Sequence, residues 1–284
     1  MDGIHLGGGV VLFENAITVP QFEILPHIDE MKERWRRENF EIVYDENGKA
    51  IHAINKGGFI YSMDAMNSAP VRVQGLSHPF FHSCEAAIYA KLLEYIEFFP
   101  ALLQCLWWKS AGHVLCYESG ASLGLHCDND VNYRYGYIPD TEHATRNVVS
   151  ALIYLNDSTD DNLVPYSFSG GKMDIPYFDI EITPQTGSIL FMPANYLGAH
   201  VVKEVTRGVR YSYLSWFAQG DAAPAKGVSP KAWGSGNDVI DGQWWLETVI
   251  EDYKDSVMRR HAGDQSTINK LLHVQSRQHD HAKN

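Results

Sequence analysis

The sequence predicts a mainly β protein with flanking helices, built on an antiparallel barrel or jelly roll. Short runs rich in β-branched and aromatic residues recur at 112–118, 147–155, 187–193, 199–205 and 209–217. Clusters of Gly, Asn, Asp and Pro separate them, and on either side of this stretch the apolar residues change to helical spacing. Short alternating runs between turn-forming residues mark an all-β core, whereas spacings of three and four mark one face of a helix.

Taken in order, the chain opens with the apolar run Val10 to Phe13. From Leu25 to Arg37, Leu25, Ile28, Met31 and Trp35 stand at helical intervals among charges, which predicts an amphipathic helix with Pro26 in its first turn. Cys84 to Phe98 repeats the pattern through Ala87, Ile88, Leu92, Leu93 and Ile96, and a third helix is expected from Gln243 to Met258. AQGDAAPAKGVSPKAWGSGND, 218–238, has the composition of a loop, and QSRQHDHAKN that of a frayed end. The expected organisation is an N-terminal helical and strand region packing on the core (1–111), the β core (112–217), and a loop with a helical extension (218–284).

With 284 residues, 45% hydrophobic and 12% aromatic, the chain has the material for a large core. A formal charge of -12 opposes the counterion displacement on which nucleic-acid binding depends. No run approaches the roughly 18 apolar residues of a membrane span, and the N-terminus lacks a signal-peptide pattern, so a cytoplasmic location is expected by default. Cys84, Cys105, Cys116 and Cys127 form no C-x-x-C pair and read as reduced thiols. Nothing in the sequence sets an oligomeric state.

Two histidines and one carboxylate that leave neighbouring coordination positions open form the ligand set of non-haem iron(II). In an extended strand residues i and i+2 point the same way, so His126 and Asp128 in GLHCDND reach one ion while Cys127 faces elsewhere. His200 in LGAHVVKEV begins an alternating segment and is the third candidate. His27-Ile28-Asp29 repeats the H-x-D pattern, but within the first predicted helix, where i and i+2 diverge by about 200°. His279 and His281 flank Asp280 in a polar tail, and His78, His82, His113 and His143 have no strand-paired carboxylate. A dicarboxylate beside the metal needs a buried cation. Arg210, ten residues after His200 in GVRYSYLSW, offers a bidentate fork, with Ser212 pointing the same way if 209–217 is a strand. Taken singly, each of these is equally well an ordinary packing or surface residue.

Their order is informative. VLCYESGASLGLHCDND, SALIYLND, Gly170-Gly171, ITPQTGSILFMP, and His200 followed by Arg210, Ser212 and Trp216 resemble, in sequence order, the motifs of the prolyl 4-hydroxylase-like Fe(II)/2-oxoglutarate-dependent dioxygenases. The resemblance covers residues 112–217 and implies a double-stranded β-helix (jelly roll) core. It implies Fe(II) on His126, Asp128 and His200. It also implies 2-oxoglutarate chelating the iron through its 1-carboxylate and 2-keto oxygen, held at its other end by Arg210 and Tyr154 with Ser212 or Tyr117. O2 is the second implied cosubstrate, and the resemblance admits ascorbate. The implied reaction is hydroxylation or another oxidation of an unactivated C–H bond, with release of succinate and CO2. The related radical halogenases carry a small residue where this chain has Asp128, so the carboxylate implies oxygenation. GGKMDIPYFDIEI departs from the pattern, being longer and more polar after its glycines.

For the substrate, DNDVNYRYGYIPD places Asn129, Tyr133, Arg134 and Tyr135 at the expected pocket mouth, with Trp107, Trp108 or Trp216 as a wall. The plainer reading makes the tryptophans core and the loop solvated. The expected substrate is a small molecule, amino-acid-like or a natural product. A protein prolyl hydroxylase acting on a peptide is the first alternative and a non-catalytic jelly-roll binding protein the second. Neither nucleic acid nor membrane is an expected partner.

Overall fold

The structure, a computed structural model, describes residues 2–106, 108–110, 112–130, 144–219 and 246–279. Strands β1 (Ile4–Gly7) and β2 (Val10–Phe13) form a hairpin that leads into helix α1 (Gln21–Asn39). A three-stranded finger follows, β3 (Phe40–Tyr44), β4 (Ala50–Asn55) and β5 (Ile60–Ser62), then the short helix α2 (Met63–Ser68), strand β6 (Val71–Val73) and helix α3 (Pro79–Phe98). Next come β7 (Trp108–Lys109), β8 (His113–Glu118), β9 (Leu123–His126), β10 (Asn147–Tyr154), β11 (Ser169–Gly170), β12 (Met173–Ile175) and β13 (Ile180–Ile182). The core ends with β14 (Ile189–Pro193), β15 (His200–Val202), β16 (Val205–Arg207) and β17 (Val209–Ala218), and helices α4 (Leu246–Arg260) and α5 (Gln265–His279) follow.

The strands form the expected jelly roll. Its larger sheet runs β1-β2-β14-β10-β17-β8-β6, with β7 added to β17, and its smaller sheet runs β13-β12-β15-β9. Register sorts the larger sheet's residues by parity. Tyr154, Ser212, Leu115 and Arg72 lie in one cross-strand row, and Arg210 lies opposite Tyr117 in the next. This face packs Leu152, Leu190, Met192 and Leu214 against Met173, Ile175, Ile182 and Val202 of the smaller sheet. The opposite face packs Val114, Ala151, Ile153, Phe191, Tyr213 and Phe217 against Ile24 and Ile28 of α1, Phe81 and Ile88 of α3, and Tyr253 and Val257 of α4.

Several elements differ from expectation. Helix α1 begins four residues before Leu25, so Pro26 lies inside it and not in its first turn. Ile24, Leu25 and Ile28 are buried while Pro26 and Phe22 face solvent. The Phe22 carbonyl that the proline leaves without a donor is therefore on the wet side of the helix. The expected strand 199–205 divides into β15 and β16, and GGKMDIPYFDIEI folds as the β12–β13 hairpin, turned at Asp179 with φ 53°. Helix α5 continues to His279 across part of the expected frayed end, because Leu271, with Ile268 and Leu272 beside it, packs on the core. All four cysteines are free. Among the described residues no helix is long and apolar enough to cross a membrane.

Candidate active site

His126 ends β9 and His200 begins β15, and the two are paired across those strands with their rings 4.3 Å apart. Each ring nitrogen Nδ1 lies against the carbonyl of the residue two before it, Gly124 for His126 at 2.8 Å and Gly198 for His200 at 2.9 Å. Those carbonyls accept only from a protonated Nδ1, which leaves Nε2 as the nitrogen of each ring that could ligate. Gly198 is required for a second reason: a Cβ there would meet the Pro193 carbonyl oxygen at 1.8 Å. Burial pushes the His200 pKa below its usual value, which keeps the ring neutral and able to ligate.

Asp128 lies two residues beyond the end of β9, in a turn closed by Asp130 N–H donating to Cys127 O at 3.0 Å. The strand argument that paired it with His126 thus overextends the strand by two residues. What aims the carboxylate is the neighbouring strand β10, where Ser150 Oγ donates to Asp128 Oδ2 at 2.5 Å and Asn147 donates to the Asp128 carbonyl at 3.0 Å. Oδ1 is left facing His126 Nε2 at 3.7 Å. The donor atoms of His126, Asp128 and His200 lie within 4.8 Å of one another. Metal–ligand bonds of roughly 2.1 Å set adjacent donors about 3 Å apart, so the group needs only small side-chain rotations to hold an ion. Two imidazoles and one carboxylate suit a divalent cation.

The second half of the site lies along β17. Arg210 is 1% exposed, with its guanidinium carbon 4.8 Å from the centre of the Tyr117 ring and 5.5 Å from that of Tyr154. Arg210 Nε and Nη2, the Tyr154 hydroxyl and Ser212 Oγ are all buried without a hydrogen-bond partner among the described residues. Buried polar groups are normally satisfied, so four of them converging in adjacent rows make a cradle for a carboxylate. Burial raises the Tyr154 pKa to about 12 against the pull of the Arg210 charge, so its hydroxyl stays a donor. Gly171 explains the double glycine: at φ +59°, its added Cβ would meet Phe168 at 2.8 Å and the Arg210 Cδ at 3.1 Å. His126, Asp128, His200, Tyr117, Arg210 and Ser212 line one cavity of about 310 Å³.

Of the sequence candidates, His126, Asp128, His200, Arg210, Tyr117, Ser212 and Trp216 all line this cavity, and the unpartnered Tyr154 hydroxyl completes the cradle. Asn129 does not line it, its backbone N–H instead donating to Ala194 O at 3.0 Å, whereas Asp130 does. Tyr133, Arg134, Tyr135, Trp107 and the side chain of Trp108 lie outside the described residues. Ser150, Asn147, Arg72 and His113 were missed. Ser150 shares strand parity with Tyr154, and His113 with Tyr117, so alternation alone could have found those two.

A jelly roll with two histidines and a carboxylate at one end of its cavity and a buried arginine in the other is the arrangement a non-haem metal oxygenase would need. Residues 112–218 match the family model described as the 2OG-Fe(II) oxygenase superfamily. The family implies Fe(II), 2-oxoglutarate and O2, and the donor set and cradle fit the first two. A PKHD-type hydroxylase of Pseudomonas putida (strain W619) is 30% identical over 103 residues, 36% of this chain and 40% of that protein. A PKHD-type hydroxylase of Synechococcus sp. (strain JA-2-3B'a(2-13)) is 30% identical over 105 residues, with the same shares. The chain thus matches about two fifths of the length of these curated relatives. Among solved structures, the 2-oxoglutarate complex of viral collagen prolyl hydroxylase from Paramecium Bursaria Chlorella virus-1 superposes with a TM-score of 0.47 at 12% identity, covering 75% of this chain and 96% of that one. A Pseudomonas putida prolyl-4-hydroxylase gives 0.44 at 16%, covering 75% and 94%.

Proposed function

We propose that the protein is an iron(II)- and 2-oxoglutarate-dependent oxygenase that hydroxylates, or otherwise oxidises, an unactivated C–H bond of a small, amino-acid-like or natural-product substrate, with release of succinate and CO2. One observation carries this reading: a His-Asp-His donor set shares a single cavity with Arg210 and Ser212, whose buried Nε, Nη2 and Oγ have no hydrogen-bond partner among the described residues. The volume described, about 310 Å³, lies at the small end for ligand sites and favours a small reacting group.

In this reading His126, Asp128 and His200 hold the iron, which when bound activates O2 for attack on a C–H bond at the expense of 2-oxoglutarate. Ser150 keeps Asp128 Oδ2 occupied, so that Oδ1 is the ligating oxygen. Arg210 and Ser212 orient the cosubstrate through its far carboxylate, and the Tyr117 and Tyr154 rings exclude water around that ion pair. In the resulting low dielectric the pair is stronger than in solvent. The retained carboxylate of Asp128 supports oxygenation over halogenation.

Under anaerobic conditions, iron(II) with 2-oxoglutarate should give a metal-to-ligand charge-transfer absorption, and Asp128→Ala should lose succinate formation. Full activity in Asp128→Ala would remove Asp128 from the ligand set. A protein lacking the band altogether would be a binding protein on the same fold. Succinate release with free metabolites, set against proline-containing peptides, separates the small-molecule reading from a protein prolyl hydroxylase; turnover with peptides alone would decide for the latter.

A further inference from the structure

Arg72 lines the same cavity but takes no part in the site described above. It is the middle residue of β6, between buried Val71 and Val73, and its row on the sheet contains Leu115, Ser212 and Tyr154. The pleat therefore aims it at the cavity. Its Nη2 lies 3.3 Å from His113 Nδ1, and Cζ lies 5.3 Å from the centre of the Trp216 ring, which is itself 5.0 Å from the His113 ring.

Arg210 stands over the Tyr117 ring, whereas Arg72 lies against His113, and their backbones pair with Tyr117 and Leu115 of β8. A dicarboxylate with one carboxylate on the metal and the other on Arg210 has none left for Arg72. Among the described residues no carboxylate pairs with Arg72. It is exposed at the cavity mouth, yet desolvation of its inner side pushes its pKa below the usual guanidinium value. Beside it the Trp216 indole N–H is buried and has no acceptor among the described residues. A guanidinium and an indole N–H on neighbouring residues that line one cavity are complementary to a planar, singly charged acceptor. Asp130, on the same cavity wall, disfavours a dianion such as phosphate.

We propose that Arg72 and Trp216 form a subsite for a carboxylate carried by the molecule to be oxidised, with His113 positioning the Arg72 guanidinium. The assignment rests on the reading of His126, Asp128 and His200 as the oxidising centre. It defines the substrate as an acid, whether a free small molecule or the terminus of a peptide.

The test uses the full chain, metal-free, labelled at its indole nitrogens, with the Trp216 resonance assigned by its loss in Trp216→Phe. The probes are free L-amino acids, the corresponding amides, and short peptides with free or amidated C-termini. Acids should move the Trp216 resonance and amides should not. Arg72→Gln should weaken the response about 10- to 100-fold, as expected for a lost charge-assisted contact, and Arg72→Lys should restore part of it. A response to free-ended peptides but not to amino acids would identify a peptide as the source of the carboxylate. Equal responses to acids and amides, an undiminished response in Arg72→Gln, or no response to any acid would overturn the subsite. The anaerobic charge-transfer band, recorded on iron(II)-loaded samples of the same protein, reads the oxidising centre separately. A missing band with a responding indole sinks the oxygenase reading, and the reverse sinks the subsite alone.

Discussion

Replacing Arg210 with Met should separate cosubstrate binding from stability. In the free protein two terms oppose each other. The variant loses two cation–π contacts, about 0.5–2 kcal/mol each, with the Tyr117 and Tyr154 rings at 4.8 and 5.5 Å. It also removes a desolvated charge whose Nε and Nη2 have no partner, a relief of several kcal/mol before any hydration of the cavity reduces it. The two terms are of opposite sign and similar size, so the variant's own stability is not the readout. Binding is one-sided: two charge-assisted hydrogen bonds at about 1.5–3 kcal/mol each weaken 2-oxoglutarate on the order of 10²–10⁴-fold. The assay is thermal unfolding of the anaerobic, iron(II)-loaded protein with and without 2-oxoglutarate. At a hundred times its Kd the cosubstrate stabilises the wild type by about 2.7 kcal/mol, or about 5–10 °C, and it should leave Arg210→Met unmoved. An equal shift in both proteins would refute the assignment of Arg210, whatever the variant's own stability.

Other perturbations probe the surroundings. Ser150→Ala removes the donor to Asp128 Oδ2 and should weaken metal binding about 10- to 100-fold in a direct titration; unchanged affinity would mean that something else aims the carboxylate. Gly171→Ala forces a left-handed conformation at about 1–2 kcal/mol and crowds Arg210 Cδ. It should lower 2-oxoglutarate affinity several-fold and leave metal affinity intact, so equal losses in both would argue against a local effect. Glu118 is opposed by burial but sits between Arg36 at 2.6 Å and Lys32 at 2.9 Å, and its pKa falls below the ordinary 4.5. Its stabilisation is therefore complete above pH 4.5 and disappears as pH falls through the folded-state value. Tm measured against pH should show Glu118→Gln less stable at neutrality with the gap closing in acid, and a constant gap down to pH 3 would contradict that sign.

The candidate site was more legible than its support. His126 and Asp128 were found by strand spacing although Asp128 lies past the strand end, because a turn closed at Asp130 and the Ser150 hydroxyl happen to preserve the same direction. Arg210 and Ser212 followed from alternation along a ten-residue strand, long enough for parity to be plain. Arg72 was invisible for the opposite reason: Val-Arg-Val is too short to show a period, and only its pairing to β8, over forty residues distant, reveals which way the arginine faces. The finger β3–β5 was missed because its strands are largely exposed and carry no alternation to read. Helix α5 did carry a signal, Ile268, Leu271 and Leu272 at helical spacing, masked by the polar residues that follow.

The matched stretch 112–218 does not position its own site unaided. Arg210, Ser212, Leu214 and Trp216 face the cavity, while Tyr211, Tyr213 and Phe217 of the same strand face the helices. Tyr211 donates to Asp29 of α1 at 2.7 Å, and Tyr213 donates to Glu85 of α3, whose other oxygen lies 2.8 Å from buried Lys109. A slip of one residue would carry the phenols into the cavity and Arg210 into the helical layer, where Asp29 and Glu85 await hydroxyl donors at fixed places. The polar contacts on the back of β17 therefore set the register on which its front depends. The N-terminal helices, which carry no catalytic motif, contribute to function by making that slip costly.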